Sequence, residues 1–288
     1  MPFEAGGSAD LLARMVAQHL QEDFGKPFTV ENRSGAGGSI GTAYVAKAPN
    51  DGYTLLLGTF STMVLNEFMY SHLPYDTESD FQPVALIMTL PNLFVVNNKI
   101  PATTVPQFIE YLQAHDSKMT YGSSGVGTSS HLSVVMLQMA TGAHFTHVPF
   151  RSTADELTNL MNGSIDFAID SMTTLWPAAQ AGNIRALAVS SKERSPAAPG
   201  LPSISQFIKS YNVSSWQGLL APAGTPKPLV DKIAFAIKRD FSKPEVIDQL
   251  TKVGGIPALK GPDDFAGYIL SDEMNWRDVV KASGVHFD

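Results

Sequence analysis

Tyr121-Gly122-Ser123-Ser124-Gly125-Val126-Gly127-Thr128-Ser129-Ser130-His131-Leu132 reads as the end of a strand, a polar loop and the start of a helix. Met119-Thr120-Tyr121-Gly122 is the strand, and helical spacing predicts a helix over about 129–141. Positions 123–130 hold five hydroxyl residues and two glycines in eight, more than a helix cap requires. In open α/β sheets, ligands bind beyond the carboxyl ends of the strands. A helix amino end there presents unpaired N–H groups and partial positive charge, which suits a carboxylate or phosphate. Glycine lets the backbone come close, and hydroxyls add adaptable donors.

The same design recurs on both sides of this stretch. Gly6-Gly7-Ser8-Ala9-Asp10 opens a helix in which Leu11, Leu12, Met15, Val16, His19 and Leu20 fall at helical spacing, ending near Gly25. Gly58-Thr59-Phe60-Ser61 follows the apolar run Thr54-Leu55-Leu56-Leu57, expected as a buried strand of a parallel sheet. Arg151-Ser152-Thr153 follows a strand at Thr146-His147-Val148-Pro149, and Asp170-Ser171-Met172 follows one at 165–170. Any one of these is also what an ordinary N-cap or turn looks like. Arg151 either pairs with a ligand carboxylate or joins a surface ion pair. Asp170 either accepts from a ligand hydroxyl or ammonium, or caps the next helix.

Further strands are expected at 28–31, 84–88, 93–96 and 184–190. Further helices are expected at 40–48, 105–115, 153–161 and 173–181. The texture changes at Asn97-Asn98-Lys99-Ile100-Pro101 and again at Leu219-Leu220-Ala221-Pro222-Ala223-Gly224-Thr225-Pro226. Beyond the second break only helices are expected, at 229–241, 244–253 and 263–281. The economical organisation is a discontinuous first lobe, 1–97 plus 221–288, with a second lobe, 98–220, inserted in it. Two connections between lobes make a hinge.

The 288 residues suffice for two domains, and 44% apolar residues suffice for their cores. The net charge of -7 offers no footprint for nucleic acid. With no cysteine there is no disulfide, thiolate metal site or cysteine nucleophile. Gly35-Ala36-Gly37-Gly38-Ser39-Ile40 departs from G-x-G-x-x-G at Ile40, and no phosphate-binding P-loop occurs. The 123–130 loop does not match G-x-S-x-G. Chain order and spacing give a Ser129/His131/Asp170 triad little support. His144 and His147 would face opposite sides of a strand, so no metal site is expected there; no catalytic residue is expected in the chain.

Pro2-Phe3-x-x-Gly6-Gly7-Ser8-Ala9-Asp10, Val30-Glu31-Asn32-Arg33-x-Gly35-Ala36-Gly37-Gly38 and Ala46-x-Ala48-Pro49-x-Asp51-Gly52-Tyr53-Thr54-Leu55 resemble the substrate-binding proteins of tripartite tricarboxylate transporters, the Bug family. The likeness continues through Leu73-Pro74-Tyr75-Asp76, Tyr121 to Leu132, His147-Val148-Pro149-Phe150, Arg185-Ala186-Leu187-Ala188-Val189 and the 219–226 stretch. The resemblance implies a monomeric periplasmic receptor with a two-lobed type II periplasmic-binding-protein fold, each lobe a sheet flanked by helices. It implies no enzymatic activity and no cofactor. It further implies capture of a small carboxylate in the interdomain cleft and delivery to membrane permease subunits. The ligand would be a di- or tricarboxylate, an amino acid or an aromatic acid. The ligand-binding positions it implies are Phe3, Gly7, Ser8, Ala9, Asp10, Thr59, Ser61, Ser124, Thr128, Ser129, Arg151, Ser152, Thr153, Asp170 and Met172.

The sequence departs from the family at three places. Glu4 stands where proline is usual, and Arg151 where lysine is more often found. The family's opening strand, roughly I-x-x-V-V, is absent before Pro2-Phe3. The first lobe's sheet is therefore expected to lack a central parallel strand or to take one from outside this stretch. No secretion signal is present in the opening residues, and one removed from ahead of them is expected. Two other readings stand beside the transport receptor: a ligand sensor for a membrane signalling partner, and a serine hydrolase acting through Ser129.

Overall fold

A computed structural model describes residues 1–115 and 118–287. The chain separates into two compact units. The first comprises Met1–Thr89 and Ser215–Asp278, with His286 and Phe287; the second comprises Leu90–Ser214 and Val279–Val285.

In the first unit, α1 (Ser8–Phe24) buries Leu12, Ala13, Val16 and Leu20 on one face and stops at Gly25, whose left-handed φ of 62° suits glycine. After α2 (Ser39–Ala46), strand β1 (Leu56–Thr59) is buried along its whole length. A π-helical turn at Ser61–Leu65 and the short α3 (Asn66–Met69) follow. β2 (Phe81–Val96) is one strand of 16 residues, and the division between units falls within it. The sequence pattern predicts two strands here, 84–88 and 93–96. Yet Asn92 keeps its place in the ladder opposite Ser171, and its N–H donates to Ser190 Oγ at 2.7 Å.

The second unit carries a sheet in the order β6-β2-β5-β3-β4. α4 (Val105–His115) leads to β3 (Thr120–Ser123), α5 (Ser129–Thr141) and β4 (Thr146–Pro149). α6 (Thr153–Asn162), β5 (Phe167–Ser171), α7 (Met172–Gln180) and β6 (Arg185–Val189) follow. β3 is parallel to both β4 and β5, so three strand ends open on one edge. The two faces bury different side chains, as strand alternation requires. Leu93, Val95 and Ala168 pack with Leu160 of α6 and Met172 and Leu175 of α7. On the other face Phe94, Phe108 and Phe167 stack edge to face at 4.9–6.0 Å.

The chain then supplies the first unit with most of β7 (Ser214–Pro222), α8 (Lys227–Phe241), α9 (Pro244–Lys252), β8 (Ile256–Lys260) and most of α10 (Pro262–Ser283). β8 corrects the expectation of a purely helical tail. It pairs with β2 through Leu86, Met88 and Thr89, and all five of its residues are half-buried, so no alternation marks it in the sequence. β1 is antiparallel to β7, not parallel as its continuous apolar run suggests. Burial on both faces produces the same run in either orientation.

Residues 28–31 correct a second expectation. They form no strand: Met1 bonds beside them, its amino group donating to Glu31 O at 3.0 Å and its carbonyl accepting from Arg33 N–H at 2.9 Å, and no named strand pairs with them among the described residues. A cavity of about 480 Å³ lies there, lined by Val16, Leu20, Phe28, Leu55, Leu57 and Leu229 among others.

Candidate functional site

The second unit gathers its candidate residues at the carboxyl ends of β4, β3 and β5. Phe150 N–H donates to Ser123 O at 2.9 Å, holding the chain after β4 against the end of β3. The 123–130 loop is tied to itself through its hydroxyls. Ser124 N–H donates to Ser130 Oγ at 3.1 Å and to Asp170 Oδ2 at 3.0 Å. Thr128 caps α5 by accepting from His131 N–H, and its own hydroxyl donates to Gly125 O at 2.7 Å. Ser130 Oγ lies 2.8 Å from Thr128 Oγ1 and 3.1 Å from Ser124 Oγ. Ser124, Thr128 and Ser129 are half-buried, with Ser129 the first residue of α5. The loop thus fixes its hydroxyls and the amino end of a 13-residue helix in one place.

Ser152 caps α6 by accepting from Asp155 N–H at 3.2 Å, and Thr153 is the first helical residue. Arg151 is exposed and joins no ion pair among the described residues. Asp170 is buried, and its Oδ1 accepts from Ser171 N–H at 2.6 Å. Met172 opens α7 with its side chain in the core beside Leu93 and Leu160, so what it can present to a ligand is backbone.

Behind the loop, on the far face of β3, three rings stack. His131 and His147 lie 4.2 Å apart and nearly parallel, with Tyr121 4.7 Å beyond His147. His147 Nε2 is 2.6 Å from Ser123 Oγ, and Gly127 N–H donates to His131 Nδ1 at 3.2 Å. Burial, and secondarily His147, pushes the His131 imidazole down to about 4; burial also lowers His147. Both rings are therefore neutral at pH 7. His131 Nδ1 is an acceptor for the loop backbone, and Asp170 accepts from two amides, so neither serves as a member of a triad with Ser129.

In the first unit, Gly7 stands at the N-cap of α1 without a side-chain cap, leaving the first amides of the helix open. Ser8 Oγ receives Gln217 Nε2 at 3.3 Å, and Gln217 pairs in register with Thr59. Ser8, Gln217 and the end of β1 thus converge on the amino end of α1. Gln217 was not singled out in the sequence; it is buried, and its Oε1 meets no donor. Only the β1–β7 register brings it to Ser8, which sequence spacing does not reveal. The Thr59 hydroxyl is engaged by Thr62, and Ser61 begins the π turn beside it. Phe3 lies against Gly38, where a Cβ would meet its ring at 3.1 Å. Ala9 is packed and Glu4 exposed. Asp10 is fully engaged: it accepts from Gly6 N–H, Asn32 Nδ2 and Arg14. The Arg14 and Asn32 hydrogen bonds hold its carboxyl down at about 2.

Among the described residues, no group of three or more metal-ligating side chains assembles, and no helix is long and apolar enough to cross a membrane.

Residues 12–285 match the family described as the tripartite tricarboxylate transporter family receptor. BugT of Bordetella pertussis is 30% identical over 286 residues, covering 99% of this chain and 88% of that protein. An R. palustris protein solved with adipate is 34% identical with a TM-score of 0.81, covering 99% of this chain and 96% of that one. MatC of Rhodopseudomonas palustris, with bound malate, is 31% identical with a TM-score of 0.75, covering 97% and 96%. The folds of these receptors and the family match across nearly the whole chain leave one assignment: the chain belongs to the tripartite tricarboxylate transporter receptor family, as a solute-binding receptor and not an enzyme.

Proposed function

We propose that this protein is an extracytoplasmic receptor that captures a small carboxylate and hands it to the membrane permease of a tripartite tricarboxylate-type transporter. The observation that carries the reading is the 123–130 loop. It concentrates hydroxyls and the amino end of α5 at three strand ends, with the uncommitted cation Arg151 following the neighbouring strand. Such a site stabilises a carboxylate through hydrogen bonds and the helix dipole. The similarity to receptors bound to adipate and malate favours a dicarboxylate of four to six carbons. In the first unit, Ser8 and the open amides of α1 are candidates for the same kind of contact.

Thermal unfolding in the presence of mono-, di- and tricarboxylates, amino acids and aromatic acids tests this. At a concentration 100 times Kd, the right acid stabilises the protein by about 2.7 kcal/mol, with no product formed. A folded protein that responds to none of these acids contradicts the proposal.

A further inference from the structure

Glu156 is the most anomalous side chain in the second unit. It lies on α6, is 0% exposed, and neither carboxyl oxygen meets a hydrogen-bond donor. Its stem crosses β3 at Gly122, where a Cβ would come within 2.6 Å of Glu156 Cγ, so glycine there makes room for the acid. β3 and β5 are in register at Gly122 and Ala168, which puts Asp170 on this same face, and its carboxyl group is the polar neighbour of Glu156.

Two carboxyl groups meet in a dry place, and the hydrogen bond open to them needs a proton between them. The geometry says which one carries it. The Asp170 oxygens already accept from the amides of Ser124 and Ser171, whereas Glu156 has no such donors and is the one left to give the hydrogen bond. The other elements packed on α6 add no competing charge. α7 has no titratable side chain, and Tyr121 of β3 points to the opposite face with His131 and with His147 of β4. Asp166, just before β5, is occupied by Thr120, and Asp155 of α6 is exposed. Burial first, and the Asp170 charge second, push the Glu156 carboxyl up to about 11.

We propose that Glu156 is a positioning residue of the binding site: it keeps its proton and donates a hydrogen bond through it to Asp170, and through Asp170 fixes Ser124 and the 123–130 loop. The device keeps a single negative charge behind the loop instead of two, which an incoming carboxylate would feel as repulsion. The binding part of this inference rests on the receptor reading; the proton does not.

The infrared difference spectrum between wild type and Glu156→Gln at pH 7 is expected to show the C=O stretch of one neutral carboxyl group, present only in wild type. No such band overturns the proposal. The stability of wild type relative to Glu156→Gln is expected to fall from pH 5 to pH 9, because only wild type must hold a proton against solution; a constant difference overturns it. Both readouts survive a wild type that binds no acid. With the acid that gives the largest thermal shift as probe, Glu156→Ala is expected to weaken binding tenfold or more and Glu156→Gln to restore it. If Glu156→Ala binds as wild type does, or Glu156→Gln is as weak as Glu156→Ala, the positioning role is wrong. If Glu156→Ala does not fold, the Gln variant decides: tenfold weaker binding than wild type contradicts the proposal.

Discussion

Asp10 and Asp170 look alike in the sequence, each an acid beside a turn that opens a helix, and the fold gives them different partners. Asp10 spends its carboxylate on Arg14, Asn32 and Gly6, bracing the turn into α1. Its folded value of about 2 lies below the ordinary 3.8, so its stabilisation is present above 3.8 and is lost as pH falls through 2. Asp10→Asn is expected to lower stability at pH 7 by about 1–3 kcal/mol, because it places an amide donor among existing donors. Urea unfolding measures this, and the gap from wild type should close below pH 3; an unchanged midpoint at pH 7 contradicts it. At the other loop, we expect hydroxyls and helix amides to outweigh one exposed cation, whose charge water screens. The double variant Thr128→Ala with Ser129→Ala should therefore weaken carboxylate binding more than Arg151→Ala. The reverse order in a calorimetric titration would assign the affinity to a salt bridge. The density of hydroxyls at 123–130 was legible in the sequence, whereas the burial of Glu156 was not. Nothing in Thr153-Ala154-Asp155-Glu156 distinguishes the buried acid from its exposed neighbour until Gly122 is seen beneath it.

Elements with strong periodicity or clear stop signals, such as α1, α5 and α6, were readable because their faces are set by local spacing. β7 and β8 were not, because their pairing with β1 and β2 depends on residues more than 150 positions away. The stack across β3, α5 and β4 belongs to this scale as well: Tyr121, His131 and His147 come from three elements, and the burial their packing produces lowers both imidazoles. The unfolded imidazole takes up its proton near 6.5, while His131 in the fold does so near 4. The neutral ring's stabilisation is thus present above pH 6.5 and is lost as pH falls through 4. Melting temperature is expected to decline over that window, and His131→Gln to flatten the decline. An identical pH profile for the variant would show that the loss arises elsewhere, in carboxylates such as Asp10.

The whole molecule carries a net charge of -7 and is proposed to bind an anion. The two are compatible because the binding groups are local: helix amides, hydroxyls and Arg151 act at contact distance, while the remaining charges are screened beyond about 10 Å at ordinary salt. Each unit has its own buried core, and the candidate residues fall in both, on loops set by sheet register. Fold class and solute-receptor function follow from the family match, and capture of a small carboxylate is the reading proposed for it. The most direct test is a calorimetric titration that compares the best dicarboxylate of the panel with its uncharged diamide. The account predicts saturable binding of the diacid at 1:1 and at least a hundredfold weaker binding of the diamide. Equal affinity for the two, or no binding of any acid by the folded protein, would contradict it.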